Sequence, residues 1–293
     1  MILNNASEQI SNFIGRLRLK PAVLVQVDAM EGSAPREAGS WMAVFPDALV
    51  GSIGGGHLEF AAIAAARTLL SSAQGCQSQG LRLALGPSLG QCCGGVVYLG
   101  LRRVSAADAL ALAANLEQAL ARTLNPAALF GGGHVGQALV RVLANLPFAL
   151  SWIDSRDGVF PENLPANVVC EHSDPVHSAV PGLAPQSSVL VMSFSHAEDL
   201  DVVAACLQRQ RDRSDLPFVG LIGSRTKWAT FRHRLEAQGF TPAELAHVTC
   251  PIGVSGIEGK EPDVIAVAVA AQLLQTVQAV SALHRAGRAP AGA

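Results

Sequence analysis

Charged residues are scarce in this sequence. They make up 15% of its 293 residues, whereas hydrophobic residues make up 49%. A disordered chain needs low hydrophobicity and high charge, so the composition excludes disorder and supplies apolar material for a sizeable core. The net charge is −2 and the lysines number three, Lys20, Lys227 and Lys260, so the concentrated basic surface that nucleic acid requires is missing. The length favours two domains.

The sequence also lacks the marks of membrane insertion and secretion. Its mean hydropathy is +0.31, and residues 264–283 carry no charge, but Gln272, Gln275 and Gln278 place a polar stripe there that favours a packed helix over a membrane span. The first ten residues contain no basic segment followed by an apolar run, so we expect no signal peptide. The six cysteines form no small-domain disulfide framework. We therefore expect a cytoplasmic protein with reduced thiols.

Hydrophobic periodicity predicts an α/β fold with a small N-terminal α/β domain over residues 1–124 and a Rossmann-like domain over residues 125–293. In the first domain the predicted helices are 1–20, 57–70 and 106–123, and the predicted strands are 22–28, 40–45, 81–85 and 96–104. In the second domain the predicted strands are 127–130, 148–153, 168–170, 188–194 and 218–222, and the predicted helices are 134–145, 197–211, 226–238 and 263–283. Short apolar strands that alternate with helices are typical of a doubly wound parallel sheet.

Ligands of such sheets bind beyond the carboxyl ends of the strands, and stretches rich in glycine or polar residues follow four of the predicted strands. The first stretch, Gly131-Gly132-Gly133-His134-Val135-Gly136, fits the pattern G-x-G-x-x-G and opens a helix whose N–H groups can face a phosphate. Asp154 ends the next strand, where an acid binds a ribose hydroxyl. The pattern predicts an anion site for NAD(P) or another nucleotide. The alternative is a turn that keeps its glycines for packing.

Three further stretches lie at the same predicted edge, at 154–156, 193–196 and 223–227. Arg156 and Arg225 add positive charge there. His196 is either a ligand contact or the first residue of a helix, and Ser224 either contacts a ligand or caps the following helix. Both alternatives stay open for each residue.

The first domain contains an echo of the glycine pattern. Gly54-Gly55-Gly56-His57 again opens a helix, but Glu59 stands where the third glycine of the pattern belongs, and its carboxylate would repel a pyrophosphate. The turn can still present N–H groups to another anion. Arg36, in the nearby turn Gly32-Ser33-Ala34-Pro35-Arg36, supplies a cation.

Adjacent cysteines, Cys92 and Cys93, lie in the glycine-flanked segment GQCCGG. Thiolates in such a turn suit sulfur transfer, persulfide formation or ligation of a thiophilic metal. Zinc is a poorer match because the C-x-x-C spacing is missing. The alternative is a pair of small hydrophobic residues in a tight turn. The other four cysteines are predicted to be ordinary buried thiols, at positions 76, 170, 206 and 250.

Taken together, these motifs resemble the XdhC/CoxI family, accessory proteins that mature xanthine dehydrogenase and related molybdenum hydroxylases. The resemblance covers nearly the whole chain and lies in the following segments: EGSAPREAG, GSIGGGHLE, QCCGG, LFGGGHVGQAL, WIDSRDGVFP, VLVMSFSHAEDLD, VGLIGSRTKWATFRHRL and CPIGVSGIEGKEPDVIAVAVAAQLL. The sequence departs from the family at two places. Phe194 stands where a histidine is expected two places before His196, and Gln272 stands where the family often has Glu.

The resemblance implies a function that the glycine pattern alone does not give. It implies a carrier that binds the molybdenum cofactor (molybdopterin), protects it during sulfuration and hands it to the molybdenum subunit of xanthine dehydrogenase. A cysteine desulfurase is then the expected sulfur donor, and a homodimer is expected. Cys92 and Cys93 would lie near the metal or relay sulfur. The alternatives are an NAD(P)-dependent oxidoreductase and a purely structural adaptor.

Overall fold

The computed structural model describes residues 6–33, 35–72, 77–85 and 94–288. Its contacts divide the chain into two compact units, Met1–Leu120 and Ala121–Ala293. The division falls within the last turn of a helix, just before the predicted boundary at residues 124 and 125. Each unit has its own sheet and its own buried clusters.

In the first unit, the described residues form a five-stranded antiparallel sheet with the order β3-β2-β1-β5-β4. Its elements, in chain order, are α1 (Ala6–Leu17), β1 (Ala22–Glu31), β2 (Trp41–Val44), β3 (Leu49–Gly51), α2 (Gly56–Ser71), β4 (Ser78–Ala84), β5 (Val96–Val104) and α3 (Ala109–Thr123). A short 3₁₀ turn, Ala106–Asp108, precedes α3.

Strand β1 shows why this sheet is covered on both faces. Successive side chains of a strand point to opposite faces. Val23 and Val25 therefore pack with the buried residues of α2, whereas Ala22 and Leu24 pack with those of α1 and α3. The predicted small α/β domain is confirmed, and its sheet is antiparallel.

In the second unit, the described residues form a six-stranded parallel sheet with the order β11-β10-β9-β6-β7-β8. Its elements, in chain order, are β6 (Asn125–Phe130), α4 (His134–Leu143), β7 (Phe148–Asp154), β8 (Val168–His172), β9 (Ser188–Val191), α5 (His196–Arg213), β10 (Phe218–Leu221), α6 (Arg225–Ala237), α7 (Pro242–Leu245), β11 (Val248–Thr249) and α8 (Pro262–Arg288). Counted from β6, this is the order 3-2-1-4-5-6 of dinucleotide-binding folds. The predicted Rossmann-like sheet is confirmed.

The central strand β6 divides its side chains between two helical layers. Ala127 and Leu129 pack with α4 and α8 on one face of the sheet. Ala128 and Phe130 pack on the other face, with α5, α6 and the 3₁₀ segment Val176–Gly182. The order of strands changes direction between β6 and β9, so the crevice for a ligand opens at their carboxyl ends.

Helix α8 is longer than predicted and is the apolar segment noted in the sequence. Pro262–Val280 is long and apolar enough to cross a membrane by length and composition, which is weak evidence because core helices pass the same test. Here the helix packs along α4, with Ala266, Val269 and Leu273 buried. Gln272 of its polar stripe accepts a hydrogen bond from the Gly253 N–H at 2.7 Å.

Candidate functional site

The turn between β6 and α4 leaves the amino terminus of the helix open. Gly133 is the N-cap residue, and no side chain of the described residues caps it. The first backbone bond of the helix runs from Gln137 N to Gly133 O at 2.9 Å. The N–H groups of the first turn therefore need another acceptor, and an anion is well suited to that place.

The three glycines of the G-x-G-x-x-G pattern have different surroundings. A Cβ on Gly131 would collide with the Met192 carbonyl oxygen, and one on Gly136 would collide with the Gly131 carbonyl oxygen. Gly131 also has a φ of +124°. A Cβ on Gly133 would meet no atom of the described residues within 4 Å. The outer glycines thus serve packing, whereas Gly133 faces open space.

Asp154, the predicted ribose ligand, ends β7 and is already fully engaged. It is 1% exposed. Its Oδ2 accepts from Gly132 N at 2.6 Å and from Arg156 Nη2 at 2.9 Å, and its Oδ1 accepts from Arg156 N and Nε, both at 2.9 Å. Burial alone would raise the pKa of Asp154, but the bonds from Arg156 and the Gly132 N–H hold that pKa below its usual value.

Arg156 stacks on an aromatic ring at the rim of the crevice. Its guanidinium carbon lies 4.6 Å from the ring centroid of Phe194, and the Phe194 side chain is largely exposed. Phe194 was noted as a departure from an expected histidine. In this structure it forms one face of a stacked pair with Arg156.

The loop after β9 is held by the first turn of α5. Glu198 accepts from Phe194 N at 3.1 Å and from Ser155 Oγ at 2.7 Å. Ser195 caps the helix by accepting from Glu198 N, and the helix begins at the exposed His196. His196 therefore has the position that the helix-start alternative predicts, with its ring 6.4 Å from that of Phe231. Strand β9 ends at Val191, three residues earlier than predicted, because this loop turns into the helix.

A buried ion pair joins the first turns of α5 and α6, the helices that follow β9 and β10. Lys227 Nζ lies 2.6 Å from Asp199 Oδ2 and donates to the Ile222 carbonyl oxygen at 2.9 Å. Asp199 Oδ1 accepts from Ser193 N at 2.7 Å. The Ser193 Oγ is buried and has no hydrogen-bond partner among the described residues. The sequence offered no signal for this ion pair, since Asp199 reads as an ordinary acid in a helix first turn.

Ser224 and Arg225 begin α6. Ser224 caps the helix, because its side chain accepts from Lys227 N at 3.1 Å. Arg225 is the first residue of the helix and is exposed. The capping alternative for Ser224 is therefore the one that the structure shows.

Contacts link all four predicted stretches at one edge of the sheet. Gly132 bonds to Asp154, Arg156 stacks on Phe194, and Lys227 pairs with Asp199. The crevice thus combines an open helix terminus, an arginine fork and a buried hydroxyl, all groups that suit a phosphorylated ligand. Another cleft of about 210 Å³ lies at the opposite, amino-terminal ends of β6 and β9.

In the first unit, the echoing turn is closed by its own carboxylate. Glu59 Oε2 accepts from Ile53 N at 3.2 Å, Gly55 N at 3.0 Å and Ser52 Oγ at 2.7 Å. Gly54 N also donates to Ser52 Oγ at 3.2 Å, so three backbone N–H groups of the turn are satisfied internally. The prediction that Gly54, Gly55, Gly56 and His57 present N–H groups to an outside anion is corrected for Gly54 and Gly55 by these bonds.

Three loops of the first unit converge beside that turn. A Cβ on Gly54 would lie 2.8 Å from Pro35 and 3.4 Å from Arg36 Cγ, and one on Gly32 would lie 3.2 Å from Gly95 Cα. Gly95 in turn accepts from Leu85 N at 2.7 Å. These residues flank the connection that carries Cys92 and Cys93, but both cysteines lie outside the described residues. Arg36 and the Gly54 turn are thus neighbours.

The three described cysteines differ in accessibility. Cys206 is fully buried, and burial raises the pKa of its thiol to about 12. Cys170 and Cys250 are half-buried, so the prediction of ordinary buried thiols is too strong for them, and Cys76 lies outside the described residues. Burial also raises the pKa values of Cys170 and Cys250. Among the described residues no group of three or more His, Cys, Asp or Glu side chains is placed to hold a metal ion.

Comparison with known families agrees with this architecture. The family model described as the XdhC Rossmann domain matches residues 128–273, and the model of the XdhC and CoxI family matches residues 17–79. The chain belongs to the XdhC and CoxI family. The two matches cover β1 to α2 and most of the parallel sheet with its crevice, whereas Cys92 and Cys93 lie between them.

Known relatives of this family member are distant. An Escherichia coli (strain K12) protein named "Uncharacterized protein YqeB" is 24% identical over 263 residues, which are 87% of this chain and 43% of that protein. The chain therefore spans less than half the length of this curated relative. A crystal structure from Bacillus halodurans described as a xanthine dehydrogenase has a TM-score of 0.73 at 18% identity, covering 94% of this chain and 96% of that one. This likeness shows a shared fold.

A Rossmann-fold NAD(P)-binding family protein from Shigella flexneri matches less well. It covers 50% of this chain and 85% of its own, with 16% identity and a TM-score of 0.34. A score of this size carries no argument about function.

Proposed function

We propose that this protein is a cytoplasmic maturation factor that binds the molybdenum cofactor, supports its sulfuration and inserts it into apo-xanthine dehydrogenase. Membership of the XdhC and CoxI family supports a maturation role. The Bacillus halodurans protein of the same fold is described as a xanthine dehydrogenase, which links the fold to that enzyme. The client is then the molybdenum subunit of xanthine dehydrogenase, and the sulfur donor is a cysteine desulfurase.

The observation that carries the proposal is the open amino terminus of α4 beside Arg156. Molybdopterin bears a phosphate, and the first-turn N–H groups at Gly133 together with Arg156 Nη1, which Asp154 leaves free, fit such an anion. The buried Ser193 hydroxyl, which lacks a partner among the described residues, also fits a site that a ligand completes. The crevice would thus hold the phosphate of the pterin or of a nucleotide.

Independently of the crevice, the first unit offers groups whose chemistry suits the metal-bearing end of the cofactor. When bound, molybdopterin supplies a dithiolene-held metal whose terminal oxo group is exchanged for sulfur. Cys92 and Cys93 offer soft thiolates for that end, and Arg36 lies beside the Gly54 turn next to the flanks of their loop. In this arrangement Arg36 would hold negative charge and the thiols would relay sulfur. A homodimer would present two such sites.

The test is to replace Cys92 and Cys93 together by Ser. We expect the variant, purified from cells that make molybdopterin, to lose most of its co-purifying molybdenum and pterin, and co-expressed xanthine dehydrogenase to lose activity. Cys170→Ser is the matched control, because Cys170 is a half-buried thiol on the edge strand β8. Unchanged metal content and unchanged client activity in the double variant would contradict the role of these thiols.

The second candidate function is an NAD(P)-dependent oxidoreductase. The observation that favours it is the strand order of the second unit together with the glycine pattern at the switch between β6 and β9. Titration with NADH and NADPH in parallel with molybdopterin separates the two functions. Tight dinucleotide binding with turnover of a small substrate, and no pterin binding, would establish the oxidoreductase.

A further inference from the structure

Asp154 stands where dinucleotide-binding folds that use NAD place the acid that binds the adenosine ribose. A carboxylate has about four lone-pair sites on its two oxygens. Four N–H groups already occupy them here, from Gly132 and Arg156, and the side chain is 1% exposed. A ribose diol therefore finds no acceptor at Asp154 unless this buried arrangement is broken.

Arg156 is presented to the crevice in a fixed orientation. Asp154 holds its Nε and Nη2 edge, and the Phe194 ring supports its flat face. Its Nη1 has no hydrogen-bond acceptor among the described residues, and about a third of the side chain (35%) is exposed. A guanidinium held in this way is preorganised to donate to a phosphate monoester, which arginine binds better than it binds a neutral diol.

The arginine lies next to the helix terminus that suits a diphosphate. Gly132, in the turn before α4, and Arg156 donate to the same carboxylate oxygen, Asp154 Oδ2, at 2.6 and 2.9 Å. The adjacent Ser193 hydroxyl is buried without a described partner. Asp154 thus connects the turn before α4, which suits one phosphate group, with the Arg156 guanidinium, which suits another.

From this arrangement we infer that the crevice of the second unit selects adenine nucleotides that carry a phosphate on the adenosine ribose, the NADP(H) class, over the NAD(H) class. The inference rests on the proposed anion-binding crevice. The inference specifies the class of ligand that binds in the crevice. The protein would then bind a nucleotide in addition to the pterin that it is proposed to carry.

The experiment compares the full chain's affinities for NADPH and NADH, and for 2′,5′-ADP and 5′-AMP, by calorimetry. The protein is purified from a host unable to make molybdopterin, so that pterin does not compete. We expect the ribose phosphate to strengthen binding by about tenfold or more, as one charge-assisted fork does. Equal affinities, or tighter binding of NADH, would overturn the inference.

Arginine variants assign the preference to Arg156. Arg156→Ala is expected to bring the NADPH-to-NADH affinity ratio to one or below, because NADPH loses the guanidinium while Asp154 becomes free to accept from the ribose diol of NADH. Arg156→Lys, which keeps the charge but loses the planar guanidinium, is expected to retain part of the preference. Arg141→Ala is the control, since Arg141, in the last turn of α4, forms an exposed ion pair with Asp263 of α8. A preference that survives Arg156→Ala would overturn the inference.

Pyrophosphate distinguishes failure of the inference from failure of the crevice. If pyrophosphate binds and Gly133→Val weakens it, but NADPH shows no preference, then the anion-binding crevice stands and the ribose-phosphate selectivity is wrong. If neither pyrophosphate nor any nucleotide binds, both are wrong. The molybdenum content of the Cys92 and Cys93 variant tests the carrier function independently of either result.

Discussion

The two glycine-rich turns share the sequence Gly-Gly-Gly-His and both lead into a helix, yet their N–H groups have different partners. In the first unit, Glu59 folds back and accepts from the turn. In the second, the corresponding position is Gly136, which has no side chain and lets α4 lie against the Gly131 carbonyl oxygen. The second glycine of each turn donates to a carboxylate, Gly55 to Glu59 and Gly132 to Asp154, and neither following helix has a side-chain cap among the described residues. The two turns thus differ in the source of that carboxylate, which is the helix itself in the first unit and the next strand in the second.

The comparison shows that a glycine pattern does not define an anion site by itself. The backbone can approach a ligand in either turn, but a carboxylate five positions after the first glycine already occupies the place where an anion would accept. We therefore propose the phosphate cradle at Gly133 and expect the first turn to position Pro35 and Arg36.

The largest effect is expected from Gly136→Ala. The added Cβ would collide with the Gly131 carbonyl oxygen, so we expect the free energy of unfolding of the second unit to fall by about 3 kcal/mol, as overpacking does. Gly133→Ala is the matched control, because its Cβ meets open space and its φ of −70° suits alanine. Urea denaturation of both variants measures the difference. Equal stabilities would show that Gly136 is not a packing requirement.

A smaller effect is expected from Glu59→Ala. Removing the carboxylate leaves two backbone N–H groups and the Ser52 hydroxyl without their acceptor, at a cost of about 2 kcal/mol to the first unit. Sulfate should restore part of that stability by binding in its place. Glu117→Ala, at an exposed position on α3, is the control. A variant that is as stable as the control and insensitive to sulfate would show that the first turn does not depend on Glu59.

The smallest effect is expected from Ser224→Ala at the start of α6. Loss of an N-cap costs about 1 kcal/mol, whereas Ser224→Gly should cost a few tenths because glycine is itself an acceptable N-cap residue. Thermal denaturation distinguishes the two. If Ser224→Ala instead weakens ligand binding and leaves stability unchanged, then Ser224 contacts the ligand. The amino terminus of α6 would in that case be a ligand-binding terminus, as the amino terminus of α4 is proposed to be.

Local patterns were enough to predict much of the second unit. Apolar runs predicted the positions of its longer strands. The glycine spacing predicted the turn at Gly131 and the acid at the end of the next strand, Asp154. These features depend on a few consecutive residues, so they are visible in a sequence. The segments that were missed are short. Helix α7 has a local signal in its capping box, Thr241 with Glu244, and in the proline at its start, whereas the two-residue strand β11 depends on its pairing with β10.

The partners within the crevice were not predictable in this way. That Arg156 would occupy Asp154, or that Asp199 would pair with Lys227, depends on which loops the strand order makes neighbours. In the first unit, β1 was predicted to end at Asp28, but its ladder with β5 continues past an irregularity there to Glu31. Tertiary pairing overrides local preference at such places.

The strand order also determines which unit can fold first while the protein is synthesised. The last strand of the first sheet ends at Val104, so the unit that carries Cys92 and Cys93 can fold while the rest of the chain is still on the ribosome. The crevice, in contrast, needs β9, β10 and Lys227 beside β6, and these emerge much later. A nascent chain therefore completes its thiol-bearing unit well before the crevice of the second unit is complete.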